Sequence, residues 1–172
     1  MESVPARPYT PGTRLLEPNV RILLLLIPGL LLTGCATWFT AHSYGLVDGQ
    51  LSDCPSPPRC LSSQASDPAH RVAPLAIRGD VSQAWAVAAQ ALAAWPQSEL
   101  VAEHPGYLRV EVTSPWGFYT DDFELLLQAD RRQIAVRSSG RIGYYDFNVN
   151  RDRIEALRAQ LVSAGVVVPA AP

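Results

Sequence analysis

Residues 123–139 read FELLLQADRRQIAVRSS, and this stretch decides the fold that the sequence predicts. The runs Phe123–Gln128 and Gln133–Ser139 flank Asp130-Arg131, a pattern typical of two β-strands joined by a turn. Because successive side chains of a strand point to opposite faces, the first run has one apolar and one acidic face. The apolar face carries Phe123, Leu125 and Leu127, and the acidic face carries Asp122 and Glu124.

The register of this hairpin predicts an ion pair. With Asp130-Arg131 as a two-residue turn, Glu124 lies opposite Arg137, and Asp122 lies opposite Ser139. Glu124 and Arg137 then form a cross-strand pair on the sheet face away from the helices. A slip of one residue would destroy the pairing, so the prediction depends on the turn.

A second hairpin precedes the first. Leu100–Glu103 and Tyr107–Thr113 flank a turn at residues 104–106, His-Pro-Gly. Strict alternation in the later strand favours an antiparallel sheet with one covered face. Leu108, Val110 and Val112 are predicted to face the core, and Tyr107, Arg109, Glu111 and Thr113 to face the other way.

Two amphipathic helices enclose these strands in the sequence. The first is predicted over residues 81–95, with Asp80 as N-cap, Gln83 completing a capping box and Pro96 ending it. The second is predicted over residues 151–163, with Asn150 as N-cap and Gly165 after its end. The fold class is therefore α+β, a two-layer sandwich in which two helices pack on one face of a four-stranded antiparallel sheet.

The N-terminal region has the layout of a secretory signal. Arg14 and Arg21 precede the apolar run Ile22–Leu32, and Leu32-Thr33-Gly34-Cys35 follows. This ending resembles the bacterial lipobox, which implies cleavage before Cys35 and lipidation of its thiol. An uncleaved transmembrane anchor is the alternative, although the uncharged run is shorter than the roughly 20 residues that a span needs.

These features predict the domain organisation and location. Residues 1–34 are the signal peptide, 35–70 a lipidated cysteine, tether and disulfide-stapled lead-in, 71–165 the α+β domain and 166–172 a loose tail. The protein is expected in the cell envelope, facing the periplasm. Ala36 after the lipidated cysteine resembles the outer-membrane class of lipoproteins. A net charge of −2 argues against a nucleic-acid partner.

Cys54 and Cys60 are a candidate disulfide. Two cysteines remain after Cys35 is assigned to lipid, and disulfides persist in exported proteins. A redox pair or a metal pair is the alternative. Redox pairs usually have two intervening residues rather than five, and a zinc site needs more ligands than two cysteines provide.

A charged cluster is the candidate binding site. Three interpretations stay open: neutralising ion pairs, arginines that bind a small anion, or carboxylates that bind a cation or act as acid and base. The aromatic residues Trp116, Phe118, Tyr119, Tyr144 and Tyr145 are either half-buried loop anchors or an exposed patch. The cluster comprises Asp121, Asp122, Glu124, Arg137, Arg141, Asp146 and Arg151, with Arg153 close by.

Three segments resemble one known family. They are the cysteine-bracketed proline motif at residues 54–63, the aromatic and acidic strand at 117–124, and a longer segment at 137–153. Together they resemble the domain of unknown function 1499 family of exported bacterial proteins, over roughly residues 51–163. The resemblance implies a fold and export but no activity. Arg59, Gly140 and Asn148 depart from the residues usual in that family.

Two functional hypotheses follow. The first is a membrane-anchored, non-catalytic binding or structural module that recruits an envelope protein or a small anionic ligand through Arg137, Arg141 and Arg151. The second is a small hydrolase or metal-dependent enzyme that uses Asp121, Asp122 and Glu124. The residues supply no serine–histidine pair, phosphate loop or metal-ligand spacing, so the first hypothesis is favoured, without a cofactor or a metal.

Overall fold

The computed structural model describes residues 44–170 of the chain. These residues form an α+β structure in which two α-helices accompany a mixed set of long and very short strands. The strands are β1 (Leu46–Val47), β2 (Gln50–Leu51), β3 (Cys60–Ser62), β4 (Leu75–Ala76), β5 (Ser98–His104), β6 (Tyr107–Thr113), β7 (Thr120–Gln128) and β8 (Gln133–Gly140), and the helices are α1 (Val81–Ala93) and α2 (Val149–Ser163).

In the described part of the chain the main sheet has six strands, so the predicted four-stranded sheet is wrong while the α+β class is confirmed. Its order is β3-β8-β7-β6-β5. β3 pairs with residues 137–139 of β8, and β4 pairs with residues 133–134 on the same edge of β8. Every pair of these strands is antiparallel. The extra strands have three and two residues, which is too short for any periodic signal in the sequence. β1 and β2 form a separate two-stranded sheet.

The register of β7 and β8 is the predicted one. Glu124 lies opposite Arg137, and Asp122 lies opposite Ser139. The connection is longer than predicted, because a 3-10 turn and Arg132 in the left-handed region replace a two-residue turn. A four-residue loop with the same centre leaves the pairing unchanged.

The core lies between the sheet and the helices. Phe123 of the central strand is fully buried, and its ring packs edge to face with the ring of Trp95, with centroids 5.4 Å apart. Small side chains let α1 approach the sheet closely, because Ala84 and Ala88 have no exposed surface. The sheet adds Leu108, Val110, Leu125, Ile134 and Val136, and α2 adds Ile154, Leu157 and Leu161.

The helix boundaries agree with the sequence at two of four ends. α1 begins after Asp80, whose Oδ1 accepts a hydrogen bond of 2.7 Å from the Gln83 amide, as predicted, but it ends two residues early. α2 ends at Ser163 as predicted but begins at Val149. Asn150 is therefore a buried residue of its first turn, and the predicted N-cap role is wrong.

The sheet face away from the helices is covered rather than open. The segment 44–53, expected to be part of a tether, lies on it as the β1–β2 hairpin. Leu51 packs there in a second apolar cluster with Tyr107, Leu126 and Ala135. A disulfide joins Cys54 to Cys60, as predicted, and so connects this segment to β3.

Phe123→Ala tests the core. It should lower the free energy of unfolding by about 3–5 kcal/mol, because it removes a buried ring from the centre of the sheet. Urea denaturation followed by circular dichroism measures the change. Phe118→Ala removes the same ring from a side chain that is 74% exposed and should stay within about 0.5 kcal/mol of wild type. Equal losses in the two variants would contradict this account of the core.

Candidate functional site

A buried ion pair lies in the middle of the covered sheet face. Arg137 Nη1 donates to Glu124 Oε2 over 2.8 Å, and both side chains are almost completely buried. The Tyr107 hydroxyl and the Gly45 amide each donate to Glu124 Oε1 over 2.7 Å. Glu124 therefore joins three strands to residues 44–53, the covering segment. Burial and the charge of Glu124 raise the pKa of Tyr107, so its hydroxyl stays a donor.

Asp122 is the centre of a second charged group on the same face. Its carboxylate accepts hydrogen bonds from Arg109 Nη1 at 2.7 Å and from Arg141 Nε and Nη2 at 3.0 and 2.9 Å. Glu111 forms ion pairs with both arginines. Burial alone would raise the pKa of Asp122, but these hydrogen bonds and charges outweigh it and lower the pKa below its ordinary value.

The three neighbouring carboxylates do not form one site. Asp121 points to the opposite sheet face from Asp122 and Glu124 and forms an ion pair of 3.0 Å with Arg153. Among the described residues, no group of three or more histidine, cysteine, aspartate or glutamate side chains is arranged to hold a metal ion. The arrangement resembles charge neutralisation inside a structure rather than a set of acid and base groups.

The predicted arginine site is also divided. Arg137 is buried against Glu124, and Arg141 is engaged by Asp122 and Glu111. Arg151 lies apart from them, exposed in the first turn of α2. The predicted cluster is thus divided between the Glu124–Arg137 pair, the group around Asp122 and Arg141, and the Asp121–Arg153 pair, while Asp146 and Arg151 lie outside these ion pairs.

Asn150 connects α2 to the loop that the Cys54–Cys60 disulfide closes, called here the cysteine loop. Its side-chain amide donates to the Arg59 carbonyl and to Asp146 Oδ2, each over 2.9 Å. Its Oδ1 accepts hydrogen bonds from Ser138 and Arg153. Asp146 Oδ2 also accepts a hydrogen bond of 3.1 Å from the backbone amide of Asn150, so this carboxylate caps the helix N-terminus. In the sequence, the one signal for this capping role of Asp146 is its position four residues before Asn150.

A cleft of about 630 Å³ opens beside this network, on the helix side of the sheet end. Its walls are the end of α1, the β6–β7 loop, the β8–α2 loop and the first two turns of α2. Ile142, Phe147, Asp152 and Ala156 of this lining were not among the predicted site residues. The apolar part includes Trp95, Val112, Ile142, Tyr145, Phe147 and Ala156.

The charged lining of the cleft is acidic overall. It comprises Asp121, Asp146, Asp152 and Arg153, three carboxylates against one guanidinium. Arg153 is already engaged, since it donates to Asp121 at 3.0 Å and through Nη1 to Ser138 and Asn150. The cleft therefore offers apolar surface with a surplus of negative charge.

The two loops beside the cleft expose their aromatic side chains. Trp116, Phe118 and Tyr119 are 83%, 74% and 56% exposed, so they form part of a patch rather than half-buried anchors. Phe147 is 89% exposed and has a φ of 54°, which is uncommon for a bulky residue. Tyr144 and Tyr145 are exposed as well, and their rings pack edge to face.

The predicted signal peptide and the lipidation site Cys35 lie outside the described residues. Within residues 44–170, no helix has the length and apolar character needed to cross a membrane.

Asp122→Asn tests the charged group and should make stability less dependent on pH. At pH 7 we expect a loss of about 3 kcal/mol, because two arginines lose their shared carboxylate. The pKa of Asp122 is lowered by folding, so its contribution is complete above its unfolded pKa of about 3.9 and disappears as the pH falls further. The difference from wild type should therefore shrink below about pH 4.

Urea denaturation between pH 7 and pH 3 measures this difference. Asp130→Asn makes the same chemical change at an exposed carboxylate of the β7–β8 turn and serves as the control. A penalty for Asp122→Asn that stays constant over the whole range would show that its carboxylate charge is not what the arginines stabilise.

Comparison with known proteins identifies the family of the chain. A search of curated proteins finds no match. The family model described as "Protein of unknown function (DUF1499)" matches residues 50–161, which include the cysteine loop, the central hairpin and most of α2. The chain therefore belongs to the DUF1499 family.

Proposed function

We propose that this protein is a lipid-anchored, exported binding module without catalytic activity, and that its cleft holds an apolar ligand or an apolar side chain of a partner. The observation that carries the proposal is the cleft of about 630 Å³ at the end of the sheet. A volume of this size and a mainly apolar lining with a few polar groups are typical of small-molecule sites.

The charges of the molecule support this choice of site. Glu124 and Arg137 satisfy one another beneath the covering segment, as do Asp122 and its two arginines. Removing such groups from their partners to bind a ligand would leave buried charges uncompensated, which is costly. The cleft is the place where a ligand gains contacts without breaking these pairs.

The charge of the cleft favours a neutral or cationic ligand over the anionic ligand expected from the sequence. Three carboxylates line it, whereas its one guanidinium, Arg153, is occupied by Asp121, Ser138 and Asn150. Tyr145 and Phe147 add aromatic faces, which attract cations. A compound with an apolar body and a neutral or positively charged end matches both features.

The anchoring part of the proposal rests on residues 14–35. A basic flank, a short apolar run and Leu32-Thr33-Gly34-Cys35 support export and lipidation, and Ala36 supports the outer membrane as destination. The disulfide between Cys54 and Cys60 suits an oxidising compartment such as the periplasm.

The arrangement of the three carboxylates does not favour the enzyme hypothesis. Asp121 lies on a different sheet face from Asp122 and Glu124, and each carboxylate has an arginine partner. Among the described residues that line the cleft there is neither a histidine nor a cysteine to act as base or nucleophile.

Photolabelling with three benzophenones of different charge tests the cleft. The probes are unsubstituted benzophenone, a 4-trimethylammonium derivative and the 4-carboxylate. The neutral and cationic probes should label cleft peptides of the exported protein, and the carboxylate should label them several-fold less, because the lining is acidic. Mass spectrometry of the digested protein locates and quantifies the labels.

A matched pair of variants shows whether the labels lie in the cleft. Ala156→Trp fills the cleft from α2 and should remove the labels. Ala159→Trp adds the same side chain at an exposed position of α2 that does not line the cleft, and should leave them unchanged. Equal labelling of both variants would rule out the cleft as the binding site.

A further inference from the structure

One end of the sheet concentrates the exposed aromatic surface of the described residues. Within residues 44–170, six of the seven exposed tyrosine, phenylalanine and tryptophan side chains lie in the β6–β7 and β8–α2 loops. Ile142 and Val149 add exposed aliphatic groups beside them. An exposed apolar patch of this kind marks an interaction surface. The six aromatic residues are Trp116, Phe118, Tyr119, Tyr144, Tyr145 and Phe147.

The chain enters the described structure close to this end. Tyr44, the first described residue, lies under Arg109 with 4.2 Å from Cζ to the ring centroid, and 5.6 Å from Cζ of Arg141. Arg141 directly follows β8 and begins the loop that carries Tyr144, Tyr145 and Phe147. The residues before Tyr44 are thus joined to the domain near the aromatic loops.

The distance along the chain to the proposed anchor is short. Cys35 precedes Tyr44 by nine residues. Even a fully extended segment of that length covers only about 30 Å, which is about the thickness of a bilayer's hydrocarbon core. A lipid on Cys35 would therefore keep Tyr44 within about 30 Å of the membrane surface.

The charge of the two loops suits a lipid interface without anionic headgroups. Residues 114–119 carry no charge, and residues 141–148 carry one arginine and one aspartate. Arg141 is paired with Asp122, and Asp146 caps α2. Tryptophan and tyrosine favour the boundary between hydrocarbon and water, because each has an apolar ring and a polar group.

We infer that the two aromatic loops form a membrane-contact surface that inserts into the headgroup region of the bilayer beside the lipid anchor. The inference rests on the anchoring in the proposed function and adds the surface by which the domain sits on the membrane. Contact through aromatic rings rather than charges should depend neither on anionic lipid nor on ionic strength.

Quenching of Trp116 by brominated phosphatidylcholine tests this inference. The full-length sequence is expressed, and the exported protein is reconstituted into phosphatidylcholine vesicles with plain or brominated acyl chains. Subtracting the emission of Trp116→Phe isolates Trp116 from the other three tryptophans. Bromine should remove more than half of this emission, equally in low and high salt. Sedimentation of the vesicles measures anchoring separately.

Two double variants of similar size serve as a matched pair. Phe118→Ser with Phe147→Ser removes two loop aromatics and should abolish the quenching while the protein still sediments with the vesicles. Leu100→Ser with Val101→Ser removes two exposed apolar groups from the edge strand β5 and should leave the quenching intact.

The possible failures are distinguishable. A protein that sediments with vesicles but whose Trp116 is not quenched by bromine would overturn the membrane-contact surface and leave the anchoring standing. Such a result, together with quenching of Trp116 by aqueous acrylamide, would direct the aromatic loops towards a protein partner. Wild-type protein that does not sediment with vesicles would overturn the anchoring and this inference together.

Discussion

The buried pair of Glu124 and Arg137 is the constraint on which the rest of the structure depends. Both side chains lie on the central strands with almost no exposed surface, and charges removed from water need complete partners. Tyr107 from β6 and Gly45 from the covering segment provide part of that completion. The covering segment therefore belongs to the domain physically, because without it the ion pair would face solvent.

Such a pair contributes more to register than to stability. Its Coulomb attraction is offset by the cost of removing both charges from water. A slip of one residue between β7 and β8 would turn Glu124 or Arg137 into the apolar core, so the pair penalises every neighbouring register. The pairing agrees with the prediction even though the turn is longer than expected, because the four-residue loop has the same centre as the predicted two-residue turn.

The strengths and limits of sequence reasoning follow from the range of each signal. Alternation in β6 and β7 and the Asp80 cap are local, and the structure agrees with them. β3 and β4 pair with β8, and residues 44–53 cover the far sheet face, through contacts between residues distant in sequence. Strands of two or three residues are too short to give a sequence pattern that predicts such contacts. Asn150 is not the N-cap because α2 begins one residue earlier, and one of its partners, the Arg59 carbonyl, is 91 residues away in sequence.

Much of the charged cluster predicted from the sequence is part of the structure's interior rather than a binding surface. The density of charge in the sequence predicted a site at Asp122, Glu124, Arg137 and Arg141. In the structure these side chains form ion pairs with one another. Among the described residues, the aromatic side chains at the end of the sheet instead stay largely exposed. Exposing aromatic rings to water is unfavourable, so a surface that keeps them exposed gains most when something covers it. The cleft and the two aromatic loops lie at this one end, and there a ligand and a lipid surface would each replace water at little cost to the core.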